Sequence, residues 1–164
     1  MAFPNTVIGD LVSGLVGEIS FDTPYTGISA VVDSTVEANN VFGRAFTYAD
    51  NTVETVQAGG AGVFCGIMVN PKTHAFGVIG GTQPDADTIP NGYPSEFMHE
   101  GECYVLLINS EEAVIGDPVY FVDATGELGA GTAAAGQTQI EGAEVFRHNV
   151  SPEVPTLATI RIKH

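Results

Sequence analysis

Glycine and proline interrupt this chain so often that no long amphipathic helix fits between the breaks. The 20 glycines and 9 prolines are spread along the whole sequence instead of gathering in one linker. Each one ends or bends regular structure, so the spacing predicts many short elements. Between the breaks lie runs rich in Val, Ile, Phe, Tyr and Thr: Ile28 to Val32, Val41 to Tyr48, Val63 to Val69, Ala75 to Ile79, Tyr104 to Ile108, Val119 to Val122 and Leu157 to Ile162. β-Branched and aromatic side chains fit a pleated, half-buried surface, and these runs have strand length. The expectation is an all-β, single-domain sandwich or barrel, jelly-roll-like, with short strands and long loops.

Finer patterns support the strands. Ile160 and Ile162 alternate with Thr159, Arg161 and Lys163, as in a strand with one wet face. Cys103 to Ile108 is apolar throughout, which predicts a strand buried on both faces. Asp123-Ala124-Thr125-Gly126 between two such runs predicts a hairpin, with Gly126 supplying the positive φ of a tight turn, and Tyr48-Ala49-Asp50-Asn51 suggests a second. Each is followed by a Gly-rich stretch, Ala58 to Gly62 and Gly129 to Gly136; general hairpin grammar accounts for this faint likeness without a duplication. Only Ala133-Ala134-Ala135 hints at helix, weakened by Gly129, Gly131 and Gly136 around it.

A length of 164 residues suits one apolar core and is short for two. The expected organisation is an N-terminal arm and first strand over 1–15, then a single β domain over 16–164. Asp and Glu total 20 against 5 Lys and Arg, a formal charge of −15. Such a field repels phosphate backbones and anionic headgroups, so neither nucleic acid nor a membrane is an expected partner. Met1 to Thr6 lacks the basic start and apolar stretch of a signal peptide, which points to synthesis and use in a cytoplasm. Cys65 and Cys103 lie in apolar runs without C-x-x-C spacing, and are expected as buried, reduced thiols.

Signs of catalysis are sparse. Glu96, His99, Glu100, Glu102 and Cys103 form the densest reactive cluster. A zinc protease helix needs a second His at a fixed spacing, whereas His99 is followed by Glu102 and Cys103, and His74, His148 and His164 stand apart. The cluster is expected to be a solvated acidic loop entering the Tyr104 strand. No Gly-x-Ser-x-Gly elbow and no phosphate-binding glycine loop occurs. Asp85 and Asp87 lack the further oxygen ligands of a calcium loop. The expectation is no enzyme, no cofactor and no metal.

Two segments suit contacts with a partner. Gly80 to Pro94 holds three prolines, has little strand character and reads as a long surface loop. In it, Tyr93 next to Pro94 sets an aromatic ring in a stiff, extended stretch, and Phe3 next to Pro4 does the same in the N-terminal arm. Phe3, Pro4, Tyr93 and Pro94 are the candidate interface residues. His148 to Pro155 is a further exposed connection before the last strand.

The N-terminal arm Met1 to Thr6, Gly17-Glu18-Ile19-Ser20, Val41-Phe42-Gly43-Arg44-Ala45-Phe46, Gly59 to Ile67, Gly116-Asp117-Pro118-Val119-Tyr120 with Thr125-Gly126-Glu127-Leu128, and Gly142 to Phe146 leading into the last strand occur in that order. In these pieces the chain resembles the small head decoration or cement proteins of tailed bacteriophages. The resemblance implies an all-β protein on the outer surface of a virion, assembled as dimers or trimers on the major capsid protein, which it stabilises without catalysis. The long insertion from Gly80 to Pro94 and the strong negative charge depart from that pattern. Two other readings lead elsewhere: a virion surface module that recognises host glycan or receptor, and a small metal-dependent hydrolase using His99 with Glu96 or Glu102.

Overall fold

A computed structural model of the chain describes residues 14–20, 24–50, 54–70, 88–108, 113–148 and 156–163. Its strands are Thr26–Val32 (β1), Ala45–Tyr48 (β2), Thr55–Ala58 (β3), Phe64–Met68 (β4), Pro94–Leu107 (β5), Pro118–Val122 (β6), Leu128–Ala130 (β7), Gln137–His148 (β8) and Thr156–Ile162 (β9). A single 3-10 turn, Glu37–Asn39, is the helical content of the described residues. The Ala133–Ala135 hint gives no helix: the amides of Ala133 and Ala134 donate to the side chains of Gln139 and Gln137 in a turn between β7 and β8. The expected strand over Ala75 to Ile79 lies outside the described residues, as do His74, Asp85 and Asp87.

The sheet order is β1-β3-β2-β4-β5-β7-β6-β8-β9, with extra pairings of β5 to β1 and to β9. Those two pairings close the sheet twice. β1, β3, β2, β4 and the first half of β5 form one ring, and the second half of β5 with β7, β6, β8 and β9 forms another. Of the two expected architectures it is the barrel that forms, because closing each ring leaves less sheet edge to be covered.

The two barrels have the same connectivity. In the first, β2 and β3 form a hairpin, β3 runs parallel to β1, β2 pairs antiparallel with β4, β4 with β5, and β5 with β1. Replacing β1 to β5 by β5 to β9 gives the second barrel, pairing by pairing and direction by direction. The faint likeness between the two hairpins is therefore the visible part of a repeated topology. Sequence reasoning took it for common turn grammar because turn residues were all that the repeats visibly share.

The buried apolar residues form two clusters, and the second takes in Ala45, Ile67, Val69 and Met98 from the first barrel's side. Val32, Phe42, Phe46, Val56, Cys65, Met68, Ile89 and Phe97 fill the first, with the Phe46 and Phe97 rings 5.1 Å apart. Cys103, Val105, Leu107, Val119, Phe121, Leu128, Ile140, Val145, Ala158, Ile160 and Ile162 fill the second. Strand β5 serves both by changing course midway. Thr26 is opposite Glu100 but Gly27 is opposite Met98, so His99 is an extra, bulged residue, and Gly101 follows at φ +129°. A Cβ at Gly101 would lie 2.7 Å from that of Tyr25, so the bend needs glycine on both counts.

The β6–β7 turn locks the barrels together. Ala45 donates to the Gly126 carbonyl at 2.8 Å, and Gly60 to that of Asp123 at 2.7 Å. Arg44 donates to the Thr125 carbonyl at 3.1 Å and pairs with Glu127 at 3.3 Å. A Cβ at Gly126, whose φ is +73°, would lie 2.4 Å from the Ala45 carbonyl oxygen.

Candidate interaction surface

The reactive cluster around His99 is strand, not loop. Glu96, His99, Glu100, Glu102 and Cys103 all belong to β5, where alternation and the bulge send them in different directions. Glu96 is exposed on the outside of the first barrel, whereas the Cys103 thiol lies in the second core. His99 bonds the Cys65 carbonyl through Nδ1 at 2.9 Å and stacks near Phe64. Glu102 is buried, with Oε1 3.9 Å from Arg161 on the neighbouring strand. Sequence reasoning missed the strand because three acids and a His within eight residues look solvated; the hydrogen-bonded neighbours β1, β4 and β9 impose the extended form. Among the described residues no three His, Cys, Asp or Glu side chains converge as they would around a metal ion.

Both cysteines are free and buried, as expected. Burial pushes the Cys103 thiol far above its ordinary range and the Cys65 thiol above it too, the latter eased by a hydrogen bond from Tyr48. Neither is poised as a nucleophile.

The apolar run Cys103 to Ile108 is not buried on both faces. Val105 and Leu107 point into the second core, while Leu106 and Ile108 are partly exposed. The outward pair lines a cavity of about 370 Å³ with Leu15, Val16, Phe42 and Arg44 at the joint between the barrels. Alternation was hidden because the outward positions are also apolar.

Phe3 and Pro4 lie outside the described residues; Tyr93 and Pro94 lie within them. Tyr93 ends a turn, Pro90-Asn91-Gly92-Tyr93, with Gly92 at φ +83° and no positive φ at Asn91, the type II pattern. Asn91 pins that turn: its Oδ1 accepts from Asn40 Nδ2 at 2.8 Å and from the Ser34 amide at 3.0 Å, and its Nδ2 donates to the Ser34 carbonyl at 2.8 Å. Ile89, just before, is buried. This end of the predicted loop is therefore fixed, and it holds Tyr93, 52% exposed, and Pro94 at the start of β5 opposite Val31.

A second exposed apolar tip was not foreseen. Val114 and Ile115 are 63% and 60% exposed on the turn Val114-Ile115-Gly116-Asp117, again type II, with Asp117 Oδ2 accepting from the Val114 amide at 2.9 Å. The same turn, Val41-Phe42-Gly43-Arg44, precedes β2 in the first barrel, but there Phe42 is buried beside Gly17, and Val16 packs on Gly43. Two Val-x-Gly-x turns ahead of two strands were the available signal.

The profile of a family described as structural cement protein (E217 gp24/Pam3 gp6) matches residues 3–163. The chain belongs to this phage cement protein family. A structural, capsid-stabilising role follows from that membership, and association with capsid proteins in a virion comes with it. Among solved structures, a chain in the capsid of Myoviridae phage XM1 has the same fold, with a TM-score of 0.69 at 16% identity, covering 99% of this cement-family chain and 98% of that one. No curated protein matches the sequence.

Proposed function

We propose that this protein binds the outer surface of a phage head after synthesis in the host bacterial cytoplasm. It assembles there as a dimer or trimer on the major capsid protein, bridges subunit joints, and carries out no catalysis and no nucleic-acid binding. The observation that carries this reading is the construction of the molecule: two closed barrels share one strand and are locked by the β6–β7 turn, which makes a stiff strut with apolar tips on pinned turns. A clamp across a strained joint needs stiffness, and many modest contacts repeated over a shell add up to a large stabilisation.

Phe3 and Pro4 of the arm, with Tyr93 and Pro94, are the proposed grip. Tyr93 suits a contact hot spot because its turn is held before binding, so little entropy is lost on docking. The test is co-sedimentation with undecorated heads. Parent protein should sediment with them, while Tyr93→Ala and a deletion of residues 2–6 should each bind about tenfold more weakly, roughly 1.4 kcal/mol, with the thermal midpoint of the isolated protein nearly unchanged. Parent protein that stays in the supernatant would defeat the reading.

A further inference from the structure

We infer that the outer edge of β1, at Gly27 and Ser29, receives an extended, Lys- or Arg-bearing segment of the shell protein as an added strand. This rests on the capsid-binding reading and names the segment that β1 would take.

Backbone direction sets the edge. The amide of Val32 donates to Tyr93 and its carbonyl accepts from Gly92, on the β5 side; the Val31 amide donates to the Glu54 carbonyl on the opposite side. Because backbone polar groups alternate along a strand, Gly27 and Ser29 present theirs on the same side as Val31. Among the described residues that side is paired only from Val31 onward, by β3. Gly27 and Ser29 are exposed, and since Gly27 has no side chain, the surface it exposes is backbone.

The repeat shows what such an edge accepts. β1 corresponds to the second half of β5, and there the matching edge is filled. Gly17 donates to the Tyr104 carbonyl at 2.7 Å, Tyr104 to that of Glu18 at 2.9 Å and Ser20 to that of Glu102 at 2.8 Å, with Ile19 bridged antiparallel to Cys103. Residues 17–20 complete the second barrel at the position where the first has no partner among the described residues. Strand addition of this kind draws affinity from main-chain bonds and specificity from the flanking side chains.

The flanks define the partner. Exposed Tyr25 and Val31 stand at the two ends of the open stretch and offer apolar anchors. Exposed Asp33, Glu54 and Glu96 surround it, and β1, β3 and residues 94–100 carry no Lys or Arg. A second copy of this chain would bring the same acids to face their own kind, whereas a basic segment is steered in.

Hydrogen exchange of the parent protein, free and bound to undecorated heads, together with sedimentation of Ser29→Pro, tests the assignment. Proline removes the outward N–H and is tolerated on a strand edge. Slowed exchange at Gly27 and Ser29 on head binding, with at least tenfold weaker binding of Ser29→Pro at an unchanged thermal midpoint, is the expected result. Unchanged exchange there, or Ser29→Pro binding as tightly as the parent, overturns this inference and leaves the capsid reading standing. Protection of the same amides in a self-associated protein without heads overturns it in favour of a second copy. A parent protein that ignores heads removes both. Should Ser29→Pro misfold, the exchange of the parent decides alone.

Discussion

The two barrels share a wiring diagram and differ in what covers them. In the first, the turn before β2 is sealed by Val16 and Gly17, so Phe42 is core. In the second, the same turn before β6 leaves Val114 and Ile115 in solvent. At the other feature the roles reverse: the edge of β5 in the second barrel is filled by residues 17–20, whereas the edge of β1 in the first has no partner at Gly27 and Ser29 among the described residues. A repeated topology sets where turns and edges fall, but which of them are buried depends on the one segment, 14–20, that only one copy of each can receive. The uncovered members of each pair are where a partner has backbone and apolar surface to use.

The largest expected effect concerns whether the barrels are one cooperative unit. Phe97→Ala in the first core and Phe121→Ala in the second should each cost about 3–5 kcal/mol, because both rings are fully buried. Denaturant unfolding should remain a single transition in both variants, since β5 belongs to both cores. Two separated transitions, each sensitive to one variant, would split the molecule into independent halves. Gly126→Ala comes next. A side chain there meets the Ala45 carbonyl at 2.4 Å and is strained at φ +73°, for a loss of about 3 kcal/mol. Its signature should be reduced cooperativity, read from a lower m-value, because the lock between the barrels is what it breaks.

The equivalent turns allow a direct contrast. Phe42→Ser should cost about 2–4 kcal/mol and Ile115→Ser under about 0.5 kcal/mol, so the thermal midpoint should fall only for the first. Equal effects would show that Ile115 is covered after all. The smallest effect is electrostatic. Hydrogen bonds from Lys163 and Arg161 hold the Glu144 carboxyl below its ordinary value of 4.5. A carboxylate lowered by folding stabilises the native state above its unfolded value, and that contribution is lost as pH falls through the lowered one. Glu144→Gln should therefore lower the midpoint slightly at neutral pH, where the carboxylate's contribution is present, and should flatten the acid side of a midpoint-against-pH curve below 4.5, where that contribution is lost in the parent.

The sequence by itself determined the class of the molecule. Short β-branched runs between glycines and prolines left no room for helix, and β1, β4, β6 and β9 formed near the expected runs because side-chain type and length there are unambiguous. The Asp123–Gly126 hairpin formed as expected because a tight turn needs the φ that Gly126 supplies. Tyr93 was legible as a stiff, exposed aromatic for the same local reason.

What required the tertiary structure was everything set by residues distant in sequence. Strand β3 is four residues long and β7 three, too short to announce themselves, and each exists because an antiparallel hairpin partner on one side and a parallel strand distant in sequence on the other supply its hydrogen bonds. The first half of β5, rich in acids, is a strand because β1 and β4 flank it. The burial of Phe42 and the exposure of Ile115, at matching places in matching turns, differ only in what lies against them. Local chemistry fixes turns and periodicity; closure of a barrel, sharing of a strand and covering of an edge are decided by which segments meet, and a pattern of nearest neighbours along the chain does not contain that.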